Sequence, residues 1–417
     1  MQNALDQELE NIDELPKKGL TWVEYCSYAL GINVAPRKRT SRPCRFLRTF
    51  AYLTNLNIIY SLISFVVENY MVSFEANVEP VVLCFQITMN MVKIAYFHSH
   101  LDSCVDLIST SEKCEVLRNL GLFDVALTDK QALSKALSTK IRDSWKSINN
   151  QVMFFFKIVS LPVLFYCMRP YLQYIYDCYV VRDICEMTLT YPAITPFVQV
   201  GNYEFPSFSV RFFVLQSGPV WCFYTVFGFN SLFVVLTNHE ACLFEVLRYL
   251  VNNSTNDDVV PKSSRVSYLR CCAKLFARLS RHHDRVENLF KYIILVQCGV
   301  STILLCMLLY TIMEVDLVKM SAILVYLLTI TFEISLYNVN AQKVETQSEL
   351  LFHEWYNCAW YNESEDFKLI IRLMMVFSMR TAKLSVGGFS KLSNKLLVQV
   401  FRLSGNFYLL LRNMNDK

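Results

Sequence analysis

The 417 residues predict an all-α membrane protein of seven transmembrane helices, with the N-terminus cytoplasmic, the C-terminus extracellular and a helical anchor region on the cytoplasmic side. Three observations carry that reading. Hydrophobic residues make up 53% of the chain and run in blocks, whereas charged residues reach only 18%, below the roughly 25% of soluble domains. Seven of these blocks approach the roughly 20 residues that a bilayer core requires. Lys and Arg crowd into alternate connections, with 29 of the 40 in residues 1–45, 99–150, 239–290 and 339–395. Because basic flanks stay in the cytoplasm, that asymmetry sets the orientation. It is the reverse of a G-protein-coupled receptor.

Residues 1–45 form a cytoplasmic segment whose opening, MQNALDQELENIDELPKKGL, is acidic and lacks an apolar h-region, so no cleaved signal peptide is expected. Residues 46–338 hold six spans, expected at 50–67, 78–97, 152–176, 212–236, 292–313 and 318–336, and these build a helical bundle. The connections between them on the outer side are nearly free of basic residues: 69–77 and 314–317 carry none, and 177–210 carries only Arg182. Leu243, Val246, Leu247 and Leu250 share one helical face, so the fourth span continues inward. Leu269, Leu275, Phe276, Leu279 and Val286 repeat the pattern ahead of the fifth span. Residues 339–385 add amphipathic stretches at 352–360 and 367–379. Two arrangements remain open for these segments: packing together as a cytoplasmic anchor, or lying on the membrane, where the Arg and Lys of 262–285 suit an anionic leaflet. Residues 252–264, NNSTNDDVVPKSS, read as the flexible linker. Residues 386–417 contain the seventh span, at 396–411, and the C-terminus.

The chemistry-bearing residues point away from catalysis. Fifteen Cys are scattered without CxxC spacing and read as reduced thiols packed like small apolar groups. Only Cys178 and Cys185 share an expected outer loop, where they are either bridged or free. The six His, at 98, 100, 239, 282, 283 and 353, lie near the cytoplasmic boundary without Cys or carboxylate partners at ligand spacing, and are expected to be solvated. No metal site follows from them. No Gly-rich phosphate loop, nucleophile elbow or HExxH helix occurs, so neither an enzyme nor a cofactor is implied. Asn252, Asn253 and Asn362 match N-x-[ST], but sit in connections expected in the cytosol, beyond the reach of glycosylation. The net charge of +4 reflects the cytoplasmic face and gives no sign of a nucleic-acid partner.

Charges expected within spans are Lys93, Lys157, Lys291, Lys319 and Arg402, with Glu314 and Asp316 at the outer edge; the lysines lie near span ends and can snorkel. Arg402 lies inside the last apolar stretch, LLVQVFRLSGNFYLLLRN, and should face water or a partner subunit. On that helix Val398, Arg402, Gly405, Leu409 and Asn413 recur at i+3 or i+4 spacing. This mixed stripe reads either as a pore lining or as a helix-packing face with Gly405 as the close-approach point.

The C-terminal residues 355–413, with WYNCAWY followed by LSVGGFSKLSNKLLVQVFRLSGNFYLLLRN, resemble the insect odorant receptor family, whose last span has the pattern of Phe389, Leu392, Ser393, Val400, Ser404, Phe407, Leu410 and Arg412. The resemblance is concentrated in about the last 60 residues; the rest matches in architecture. It implies a ligand-gated, non-selective cation channel in the plasma membrane of olfactory neurons, with four subunits around a pore lined by the last helix. The connection between the fourth and fifth spans is short, which implies a ligand-tuning subunit that forms hetero-tetramers with a co-receptor subunit. The narrowest pore position would fall on Leu409. Two departures stand out: the family's usual Ser-Tyr-Ser run is Ser404, Gly405, Asn406, and the cationic Arg412 sits at the expected pore mouth.

The resemblance also places a pocket for a small volatile organic ligand in the outer half of the bundle. The matching regions offer Val82, Phe85, Gln86 and Met89; Leu164, Phe165, Met168 and Tyr171; Phe213, Gln216 and Trp221; and Ile323 and Tyr326. Affinity there would come mainly from apolar contact. A metabotropic seven-span receptor is disfavoured by topology and by the lack of Asp-Arg-Tyr after the third span or Asn-Pro-x-x-Tyr in the seventh. A transporter is disfavoured by the absence of paired midplane carboxylates.

Overall fold

The computed structural model describes residues 17–34, 42–69, 74–118, 120–176, 178–179, 193, 207–312 and 317–415. Among these the α-helices are, in chain order, α1 (Lys18–Ala29), α2 (Arg42–Glu68), α3 (Phe74–Ser99), α4 (Leu101–Glu112), α5 (Lys130–Tyr176), α6 (Ser207–Asn252), α7 (Arg265–Thr311), α8 (Leu317–Asn357), α9 (Glu365–Ser378) and α10 (Asn394–Asn415). A two-stranded antiparallel hairpin, β1 (Ser385–Val386) and β2 (Ser390–Lys391), precedes α10.

Among the described residues α2, α3, α5, α6, α7 and α8 are long and apolar enough to cross a bilayer. The long helices outrun their apolar blocks. The helix holding the third block starts at Lys130, and that holding the fourth runs unbroken to Asn252, so each is membrane-length in part and continues beyond. At 22 residues α10 has the length to span, but Lys395, Arg402 and Arg412 interrupt its apolar run. That polarity suits a helix with one wet face.

The extensions pack on one another. Leu243, Val246, Leu247 and Leu250 of α6 are buried, as are Leu269, Leu275, Leu279 and Val286 of α7, in one core with Trp355 of α8 and Phe367 and Ile371 of α9. The short helix α1, which no sequence pattern marks, adds Leu20, Val23 and Cys26 to this core. Its Cys26 approaches Gly228 of α6 so closely that a Cβ there would lie 2.9 Å from the Cys26 Cβ, which is why glycine occupies that position. Burial pushes the Cys26 and Cys104 thiols up to about 12, so both are inert packing groups.

The stretch 252–264 is a folded corner and corrects the linker reading. It turns through two 3-10 segments, buries Val260, and gives the Val259 carbonyl to the Thr128 amide at 3.1 Å. Arg265 clamps it by bonding Asp257 at 2.8 Å and pairing with Glu363. Asn, Ser and Pro, read as flexible, here supply turns and local hydrogen bonds.

Before α10, Gly387 and Gly388 have φ of +62° and +80°, a region open chiefly to glycine, and a Cβ on Gly387 would lie 2.7 Å from Leu295. This turn seats α10 on α7. The buried face of α10 carries Val400 and Ser404, packed towards α7 and α8, and Ser404 donates to the Val400 carbonyl at 3.0 Å.

Candidate functional site

A mostly apolar cavity of about 70 Å3 lies among α3, α5, α6 and α8. Its position follows from the local sequence. Pro162 in α5 and the Gly218–Pro219 pair in α6 line it, and proline within a helix removes a backbone bond and bends the axis, so these helices part where little side-chain bulk fills the gap. Tyr166, Phe223, Ile87 and Ile330 add apolar walls. Tyr326 donates from its hydroxyl to Gln86 Oε1 at 3.1 Å, satisfying two buried polar groups at the cavity wall.

One carboxylate, Glu333 of α8, also lines the cavity. Its Oε1 accepts from Lys93 Nζ of α3 at 3.0 Å and from Asn230 Nδ2 of α6 at 2.7 Å. Lys93 reaches Asn230 Oδ1 at 3.3 Å, and the Tyr337 hydroxyl donates to the same oxygen. Lys93 is 1% exposed and Glu333 3%. Lys93 therefore does not snorkel; its head is held inside by an opposite charge and the neutral Asn230 oxygen, the condition under which a buried pair persists. Glu333 is a further charge within the spans, as is the Arg169–Glu79 pair that joins α5 to α3 through both guanidinium nitrogens and both carboxylate oxygens.

The histidines correct a second expectation. His98 and His353 are exposed, but His239, His282 and His283 are buried between α6 and α7. His283 Nδ1 lies 2.6 Å from Glu240 Oε1, and His239 tilts over Trp145 with centroids 5.5 Å apart. Each partner comes from a different helix, Glu240 on α6 for His283 of α7 and Trp145 on α5 for His239 of α6, which sequence spacing alone does not bring together. Among the described residues no group of three or more His, Cys, Asp or Glu is placed to hold a metal.

Of the residues singled out for a ligand, Gln86 and Tyr326 line the cavity. Val82 packs with Tyr326 and Ile330 in a neighbouring cluster, to which Ile323 adds a partly buried side chain. Met89 and Trp221 belong to the main core, and Gln216 donates to the Cys167 carbonyl at 3.1 Å. Phe85, Leu164, Met168, Tyr171 and Phe213 are exposed on the single chain. Phe165 is half-buried and its ring stands nearly perpendicular to that of Tyr166, the residue that does line the cavity, with centroids 6.2 Å apart. Pro162, Tyr166, Cys222 and Phe223 entered no sequence-derived set; the available signal was the prolines within apolar runs.

On α10 the stripe faces away from the rest of the chain: Val398 is 56% exposed, Leu409 53%, and Arg402 is exposed as well. A Cβ on Gly405 would meet nothing within 4 Å, so Gly405 is not a close-approach point within this chain. The side chains of Arg412 and Asn413 lie outside those described, as do Glu314, Asp316 and the side chain of Lys319. Cys178 is disulfide-bonded, and Cys185 lies outside the described residues.

Comparison with known proteins gives a consistent set of likenesses. The family model described as 7tm odorant receptor matches residues 73–405. Odorant receptor 67b of Drosophila melanogaster is 62% identical over 421 residues, covering all of both chains, and Odorant receptor 63a of the same species is 25% identical over 401 residues, covering 94% of each. The olfactory receptor OR5 of Machilis hrabei in complex with eugenol shares the fold, with a TM-score of 0.72 over 95% of this chain and 98% of that one at 11% identity.

Proposed function

The chain belongs to the odorant receptor family, and on that premise we propose that it is the odorant-binding subunit of a ligand-gated, non-selective cation channel. It is a multi-pass membrane protein of a receptor family, not of an enzyme family. In this reading it assembles with co-receptor subunits into a hetero-tetramer, N-terminus inside and C-terminus outside. The positive charge of alternate connections supports that orientation. A small volatile molecule enters the cavity among α3, α5, α6 and α8, and α10 lines the pore through Val398, Arg402, Gly405 and Leu409, with Arg412 and Asn413 toward its outer mouth. The α1, α4 and α9 helices and the inward ends of α5 to α8 form the anchor that joins subunits.

The observation that carries the reading is the mostly apolar cavity with the Tyr326–Gln86 pair in its wall. Few polar groups in a small apolar space suit a volatile of few polar atoms, whose affinity comes from area removed from water. The related fold of the Machilis receptor holds one such molecule, eugenol. The test is a dose-response series in cells expressing the chain with a co-receptor subunit. Phe223→Ala should move ligand sensitivity by about tenfold or more, since a lost aromatic contact costs on the order of 1.4 kcal/mol or above. Leu172→Ala, on the exposed side of α5, should leave it unchanged. Unchanged sensitivity for Phe223→Ala across a broad panel of volatiles would place the ligand elsewhere.

A further inference from the structure

Lys93 and Glu333 form a buried ion pair between two of the membrane-length helices, and neither ligand contact nor pore lining accounts for it. Glu333 stands at the cavity wall, yet its Oε1 is committed to α3 through Lys93 and to α6 through Asn230. One turn further along α8, Tyr337 bonds the same Asn230. The next residue, Asn338, is fully buried and accepts the Ser393 amide on its Oδ1 at 3.1 Å. Ser393 is the residue from which α10 starts, and its carbonyl takes the Leu397 amide at 3.1 Å. A second link runs through packing: Val400 of α10 shares a cluster with Tyr326 and Ile330, both of which line the cavity. Two sets of buried bonds thus meet at adjacent residues of α8: Glu333 and Tyr337 tie it to the cavity wall, α3 and α6, and Asn338 ties it to Ser393, the residue just before the exposed-stripe helix.

We propose that Lys93 and Glu333, with Asn230, Tyr337 and Asn338, are positioning residues that transmit occupancy of the cavity to α10. The inference rests on the reading of the cavity as the odorant site and of α10 as the pore helix. Its physical basis is the cost of separating buried charges. In a low-dielectric interior Glu333 cannot leave Lys93 without stranding both, so a ligand that displaces Glu333 moves α3, α6 and α8 as one set. Asn338 then carries the shift of α8 to Ser393. Coupling of this kind is a two-state property of the linked set, and removing the pair uncouples the sites without emptying the cavity.

The test reads α10 directly. Leu409→Cys is placed in the otherwise native chain, co-expressed with a co-receptor subunit, and its labelling by an impermeant thiol reagent is timed with and without an activating volatile, alongside the current. Lys93→Met and Glu333→Gln are combined so that no unpaired buried charge remains, because either change alone risks misfolding. The volatile should change the labelling rate by about threefold or more in the native background, and by less than half of that in the paired variant, within the range expected for coupling residues. Asn338→Ala should reduce the response in the native background but add nothing to the paired variant, the mark of a shared path. A merely structural role predicts additive losses and an undiminished labelling change. Equal labelling changes in both backgrounds, or no change in the native one, would overturn the inference. A labelling change without any current would leave it standing and remove the channel reading instead.

Discussion

Tyr326 is placed where one hydroxyl decides two environments: its ring packs with Val82 and Val400, and its oxygen meets Gln86 beside the cavity. Tyr326→Phe strands Gln86 Oε1 inside the bundle, a loss of about 1–3 kcal/mol, whereas removing both partners with Tyr326→Phe and Gln86→Leu is close to neutral. Thermal unfolding of detergent-solubilised protein should therefore show the single variant less stable than the double; equal stability of the two would mean that the bond is not made. At this scale the sequence was only partly legible. Gln86 and Tyr326 line the cavity, whereas of the neighbours Phe165 and Tyr166 only Tyr166 does, because one residue along a helix turns the side chain by about 100° and no periodicity in an all-apolar run marks the inner face. Glu333 escaped for a related reason: within ITFEISLY a lone acid reads as noise until its partner on another helix is known.

Among the elements, α10 and α9 carry the sharpest expectations. Both have a strongly two-sided character, and both leave one face uncovered: Leu369, Leu373 and Phe377 on α9, Val398 and Leu409 on α10. Apolar side chains close a pore by excluding water, and a fixed cation near its mouth opposes cation entry. Leu409→Ala should raise current in the absence of odorant, and Arg412→Glu should raise cation conductance, without altering which volatiles activate; single-channel recordings with unchanged basal activity and conductance for both would take α10 out of the pathway. In the core formed by the helix extensions, Trp355→Ala should destabilise the protein by about 3–5 kcal/mol and deplete it from the cell surface, because its ring is fully buried among α6, α7 and α9. Normal surface levels and thermal stability would contradict that. The long helices were the most legible feature, since hydropathy blocks and i, i+3, i+4 spacing coincide in α6 and α7. The short α1 and α4 were not, because twelve residues of mixed polarity give too little periodicity, and their helical state comes from docking.

For the whole molecule, orientation and assembly decide which side of the membrane the cavity and α10 serve. With 29 of 40 basic residues on one side of the expected spans, a tag after Lys417 should be labelled on intact cells and one before Met1 only after permeabilisation. The opposite pattern would invert the cavity and the anchor together. The central claim is that a volatile in this chain's cavity opens a pore to which α10 contributes. The most direct measurement is current in excised patches bathed in nucleotide-free solution, from cells expressing the chain alone, the co-receptor subunit alone, or both. A volatile-evoked cation current is expected only with both, persisting without nucleotide and shifted to about tenfold higher concentration by Phe223→Ala. A response that the chain produces without the co-receptor subunit and that disappears when GTP is withdrawn would contradict that claim.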